Sequence, residues 1–435
     1  MRIFAVMYAS IFRARVLGWG LSCLAVLPAA AEGLRWSGYG TLGLVHVSAP
    51  ADWRFRRDIS QRGEADSGVS WTPDTRLGLQ LNWQPHEQLE LVAQGVLRRR
   101  ARTAPAVESL EWAFASWRPT PALTVRVGRT SPDVFLLADY RNVGFAYPWV
   151  RPPVEAYGWM PLFSMDGADV AYQWPTRDGR WFGRFYAGRA RTTLAGGDGY
   201  ADPRVRTRSL VGGTISHESG GLTLKLSGAV AKTQLDDTVG LAQAKLLLQQ
   251  LAQAQLPVVS AEAAALNDHI GELKGFRNHY LSLGATWDRG PWQLQGEWSR
   301  IGGSYRAQAS TFAYGSVAYR RGSVTWFGLA SRAWPTHPLL PSPQWGPAVA
   351  PLVGPVMAMQ IQALGEGLSN ANNVARNDQH TVGAGLRWDV APNAAVKLQV
   401  DRVHVHAHGS ALWSNTRDNE SARATVFSAA LDFVF

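Results

Sequence analysis

Cysteine is almost absent. The 435 residues contain one, Cys23, within an apolar stretch near the start. A mature chain without it can form no disulfide and no thiolate metal site. That is compatible with export to an oxidising compartment but does not require it. Charge is also scarce: charged residues make up 17%, against roughly 25% in an average soluble domain. Long apolar runs are missing after the first thirty residues. The nearest approach to a spanning helix, Trp345 to Leu364, is interrupted by Pro347, Pro351 and Pro355. Only strands are left to cross a bilayer. There is no nucleic-acid motif either, so nucleic acid is not an expected partner.

The start of the chain supplies a different signal. Arg2, Arg13 and Arg15 precede LGWGLSCLAVLPAAA, and Ala29-Ala30-Ala31 offers a small-residue cleavage site. This reads as a secretory signal over residues 1–31, with the mature protein at 32–435. The alternative, an N-terminal anchor, would need a stretch of roughly 20 apolar residues. Cleavage takes the formal charge from +10 to +7, since three arginines leave.

Glycine (43) and tryptophan (19) are abundant, and the mature sequence alternates. In TRLGLQLNWQPHEQLELVAQGVLRRR, residues 75–100, Leu77, Leu79, Leu81 and Trp83 take one parity, and Arg76, Gly78, Gln80 and Asn82 the other. Period two means strands with one apolar and one polar face. About sixteen such segments run from Leu34–Val47 to Ala424–Phe435, most near the 9–11 residues of a tilted bilayer-crossing strand. Every other connection is tight (PHEQ, PTPA, PTRDGR, ESGG, DRGP, APN), whereas the alternate ones are mostly long. A soluble sandwich has no reason to sort its loops by parity. The fold expected is all-β: a transmembrane antiparallel barrel of about 16 strands, with short periplasmic turns and long extracellular loops. Trp83, Trp174, Trp287 and Trp388 recur at the short-turn side, as an interfacial girdle would. The polar parity suits a wet lumen.

At this point the chain resembles the Gram-negative outer-membrane porins. The matching pieces are WSGYGTLGLVHV after the signal, RVGR, GLRWDVAPNAAVKLQVDRV, and ALDFVF ending in Phe435. The resemblance implies a 16-stranded barrel in the cell outer membrane, commonly a homotrimer, passing small hydrophilic solutes passively. It implies that Phe435 is the signal read by the barrel-assembly machinery. It also implies that the third long loop, residues 130–166, folds into the lumen. That loop offers Asp133, Asp139, Arg141, Arg151 and Glu155 as constriction candidates.

Pore-lining candidates on the inward parity are Arg76, Gln80, Arg98, Arg126, Arg184, Lys225, Glu297, Arg387, Lys397 and Asp401. Arginines toward the long loops, among them Arg189, Arg191, Arg204, Arg206 and Arg208, suggest a weak anion preference; the alternative is that they bind lipopolysaccharide phosphates or pair with loop acids. The loops TVGLAQAKLLLQQLAQAQL and PVMAMQIQALGEGL carry helical periodicity, as a lid or a greasy site for less polar solutes. His404, His406 and His408 alternate, which places them in reach of one metal or in a loop-rim cluster. Val403 and Val405 break the local parity, suggesting a bulge near Asp401-Arg402 or exit from the bilayer. No cofactor or metal is expected. Two other functions compete with the channel. One is a structural or adhesive barrel with a plugged lumen. The other is an outer-membrane enzyme, for which His279 and Ser282 are the nearest pair, on opposing parities.

Overall fold

Each alternating segment is a strand in the computed structural model of the chain, which describes residues 33–63, 68–197, 201–236, 239–256, 258–270, 274–304, 309–374, 376–414, 416 and 420–435. The expected signal over 1–31, with Cys23, lies outside the described residues. The first eight long strands are β1 Leu34–Ser48, β2 Arg76–His86, β3 Leu89–Arg98, β4 Leu110–Trp117, β5 Leu123–Thr130, β6 Met165–Thr176, β7 Gly179–Thr193 and β8 Arg204–Ser219. The second eight are β9 Leu222–Asp236, β10 Lys274–Arg289, β11 Trp292–Gly303, β12 Ser310–Arg321, β13 Val324–Pro335, β14 Asn377–Ala391, β15 Ala394–Ser410 and β16 Ala422–Val434. Sequential strands pair antiparallel, and β1 pairs β16 from Tyr39↔Val434 to Ser48↔Thr425. The sheet is therefore closed, which leaves no unpaired edge for lipid to meet.

A two-residue strand, Val69–Ser70, adds to the ladder on β1, opposite Val45 and His46. Alternation could not reveal it because two residues carry no period. Several strands also outrun their expected ends at the long-loop rim. β8 starts at Arg204 rather than Arg208, because main-chain pairing continues past the level where side chains need lipid. At the other rim the turns are tight. Between β12 and β13 only two residues intervene, and Gly322 takes φ 61°, which a glycine adopts without steric cost.

Outward residues form an apolar band. Leu79, Leu224, Leu283, Leu294, Leu398 and Phe427 are all exposed. Trp83, Trp292, Trp326 and Trp388 are exposed near the short-turn ends of their strands. Trp174 stacks on Trp181 across the β6–β7 turn, and Tyr319 on β12 links Trp292 on β11 to Trp326 on β13. A ring that is apolar in body and polar at one edge suits the boundary between hydrocarbon and headgroups.

The long loops hold the remaining structure. The third is residues 131–164, with a single helical turn α1, Val154–Tyr157. The β9–β10 connection carries α2 Val239–Gln253 and α3 Val259–Ile270; the β13–β14 connection carries α4 Trp345–Val353 and α5 Pro355–Val374. The helical periodicity of both loops is thus realised. Leu248, Val259, Leu266, Ile270, Trp345, Val349 and Ile361 bury one another in a single cluster. The two loops therefore build one cap between them.

Candidate functional site: the third loop at the waist of the barrel

The inward parity of the wall is polar and ionised. Such groups need water or partners when enclosed. In this barrel the third loop supplies the partners. Nearly every residue from Ser131 to Trp159 is buried, including Trp149, Phe135 and Leu137.

The loop is bonded to the wall on all sides. Toward β8 and β9, Asp133 accepts from Thr214 (2.8 Å) and pairs with Lys225. Toward β7, Arg184 stands 3.5 Å from Asp139 and 3.7 Å from Asp133. Toward β11, Glu297 accepts from the Leu136 amide (3.2 Å) and the Tyr157 hydroxyl (2.6 Å). Toward β13 and β14, Glu155 accepts from Ser331 and Gln379, each at 2.6 Å. Toward β14 and β15, Arg387 donates to the Phe145 carbonyl (2.6 Å), and the Lys397 ammonium to the carbonyls of Gly144, Tyr147 and Trp149 (2.6–2.8 Å). Lys397 also pairs with Asp432 at 2.9 Å. Toward β2, Arg76 donates to the Asn142 carbonyl at 2.6 Å.

Arg151 is the most heavily bonded of the loop's charges. It reaches Asp74 (2.6 Å), Asp401 (3.3 Å) and Ser428 (2.6 Å), and lies over the Phe55 ring. Burial alone would push the Asp74 carboxyl up, but Arg151, with Arg57 and Arg76 nearby, holds it below the usual carboxylate range. Asp58, in the first long loop, behaves alike. Its burial is outweighed by Arg98 (2.8 Å), Ser60 and Arg57. Arg141 is buried, lies 3.7 Å over the Phe163 ring and donates to the carbonyls of Met160 and Leu162. Its burial lowers the guanidinium to about 10.

All ten pore-lining candidates lie on the inner wall, and the five loop candidates lie in the loop as read. Their surroundings differ from the expected water column. At the waist they hold the loop in place, and Arg76, Glu297, Lys397 and Asp401 are buried beneath it. Asp139 is the exception among the loop acids, with its side chain 45% exposed beside Arg184. Gln80 is joined to Asn82 and Gln94, each at 2.8 Å, and Arg126 to Asp169 at 2.9 Å.

The structure also corrects the reading of β15. No register shift interrupts its pairing at Asp401 or Arg402. Val403 and Val405 keep the inward parity and are apolar because they meet the apolar packing of Trp413, Leu412 and the loop. His404 and His406 therefore face outward, near His380 and Arg332. His408 ends the run in a left-handed conformation, φ 57°. Among the described residues no group of three or more His, Cys, Asp or Glu is placed to hold a metal ion. Ser282 is buried inside, donating to Glu297 at 2.7 Å, and His279 is exposed on the other face. The hydrolase pair is thus divided by the wall.

Two contributors escaped sequence reasoning. One is the first long loop: Trp53, Phe55 and Ile59 join the same buried cluster, and Arg56 donates to the Leu412 carbonyl at 3.2 Å. The other is Asp74, which precedes β2 and had no parity to mark it. The alternating aromatics WRF at 53–55 were the available signal.

A closed antiparallel barrel of sixteen long strands, apolar on its outer face and with its third loop bonded to the polar inner wall, has the porin-like fold. The fold is shared with a solved porin. The anion-selective porin from Comamonas acidovorans matches with TM-score 0.50 and 12% identity, over 92% of this chain and 99% of that one. The Salmonella typhi OmpF complex with daunomycin has TM-score 0.49 and 13% identity over 93% and 98%. The loop L8 deletion mutant of OmpT from Vibrio cholerae has TM-score 0.48 and 9% identity over 93% and 100%. No protein-family profile and no curated protein sequence matches.

Proposed function

We propose that the chain is an outer-membrane channel for passive diffusion of small solutes, with the third loop as its restriction. The supporting observation is the ring of bonds between that loop and the polar inner wall of a closed barrel. The loop narrows the waist, and the Asp139 side chain beside Arg184 remains exposed there. A static plugged barrel is the competing reading, and it draws on the same packing. Conductance separates them. In planar bilayers the wild type should give discrete openings, and Arg151→Ala, which unties the loop from Asp74 and Asp401, should give larger or more frequent ones. Silence of both proteins would leave the plugged barrel.

The expected partners belong to this proposal. Arg189, Arg191, Lys232, Arg277, Arg300, Arg402 and Arg423 are exposed on the outer wall, where the apolar band gives way toward the long loops. That height suits anionic headgroups, lipopolysaccharide among them. Their field also reaches the mouth, where it favours anions modestly, because it is screened within about 8 Å at physiological salt. A small anion-selective reversal potential in a salt gradient is expected, and a cation-selective one would refute the preference. On the outward faces of β1–β4 Arg99, just past β3, is the sole arginine at that height among the described residues, and Leu42, Leu79, Leu81, Ala93 and Gly95 give an apolar surface suited to trimer packing.

A further inference from the structure

Much of the inner wall is ionised, but on the long-loop side of the third loop a stretch of it is not. There, a cavity that opens to solvent lies between the loop and the wall of β7–β11. Asp, Glu, Lys and Arg are absent from its lining. The loop contributes Trp159 and Leu162, and the first long loop contributes Ile59. On the wall, Ala190, Ala229 and Ala231 leave the space that larger side chains would fill.

Tyr280 is the second observation. It lines the cavity, is 7% exposed, and its hydroxyl is buried beside Ser282 and Ser299 with neither in bonding geometry. Ser282, beside it, donates instead to Glu297. An unsatisfied buried hydroxyl costs free energy that a ligand can recover. The rest of the polar lining is Thr192, Thr207, Thr233, Asn278 and His279, which offers an ion no opposite charge of a carboxylate, ammonium or guanidinium. Small-molecule sites combine an apolar lining with a few polar anchors in this way.

We infer that this cavity binds a small uncharged solute: a ring bearing one hydroxyl or carbonyl, its ring against Trp159 and its polar atom on Tyr280. The inference deepens the channel reading by naming a solute class held at the outer side of the restriction. The binding itself requires no transport.

The test uses the full mature chain in lipid nanodiscs and the probe 4-fluorobenzyl alcohol, followed by fluorine NMR against empty nanodiscs. Saturable binding is expected for the wild type. Ala229→Trp, which fills the cavity, should abolish it. Tyr280→Phe should weaken it by about fivefold, the worth of one ordinary hydrogen bond, while leaving the affinity for fluorobenzene unchanged. Ala231→Phe serves if Ala229→Trp does not assemble, and heat-modifiable gel migration reports assembly for every variant. Signal no greater than in empty nanodiscs, or full affinity in an assembled cavity-filling variant, overturns the inference. Binding without conductance would remove the channel reading alone; conductance without binding would remove this inference alone.

Discussion

Arg151 shows what a single residue contributes. Its guanidinium satisfies Asp74, Asp401 and Ser428 at once in a dry setting. Removing one partner of a buried pair costs about 3–5 kcal/mol, because the other charges are stranded. Arg151→Lys should rescue little, since an ammonium cannot reproduce the planar fork; thermal unfolding in detergent would show both variants well below the wild type. The pH dependence follows from Asp74. Its carboxyl is held below the ordinary value, so the stabilisation is complete above about pH 4 and is lost as pH falls through the lowered value. Channel openings should therefore become more frequent only in strong acid, and Asp74→Asn should show that behaviour at neutral pH. Asp74→Asn openings no more frequent than those of the wild type at neutral pH would contradict this. These residues were only half legible. The inward parity of Asp401 followed from alternation, but Arg151 and Asp74 lie in loops, where no period tells a side chain's direction. Val403 and Val405 misled for a related reason: an apolar inward residue looks like a bulge unless the lumen is known to be packed.

At the level of elements, the strands were legible and the loop's fold was not. Lipid on one side and polar partners on the other impose a contrast every second residue, and the sequence repeats that contrast sixteen times. The third loop's anchors are distant in the chain, with Lys397 meeting carbonyls near residue 147, and no local pattern encodes such pairing. Two substitutions probe the loop. Trp149 is fully buried, packs on Tyr147 and Tyr314, and donates to Ser316 at 2.8 Å. Trp149→Ala should cost about 3–5 kcal/mol, as for other large buried aromatics, seen as earlier melting of the loop in hydrogen exchange. At Gly144 a Cβ would fall 1.9 Å from an Asp432 oxygen and 2.7 Å from the Thr41 hydroxyl. Gly144→Val should therefore lift the loop from the β1–β16 seam and raise conductance; normal conductance would show that this seam is not part of the restriction.

For the whole molecule, closure and environment dominate. The last strand returns to the first through mutual main-chain bonds between Phe435 and Gly38 (2.8 and 3.0 Å). Phe435→Ala should lower the yield of assembled barrel in cells more than it lowers the stability of barrel refolded in detergent, if the residue serves as an assembly signal; equal effects would make it merely structural. The architecture of the cap carries a consequence for engineering. Its apolar interior is supplied half by the β9–β10 hairpin and half by the β13–β14 hairpin. Trimming one hairpin would strip its neighbour of cover and leave a sticky surface facing the surroundings of the cell. The two excursions are therefore a matched set: a shortened protein that remains soluble in detergent should be obtained by cutting both back together, and aggregation should follow from cutting either by itself.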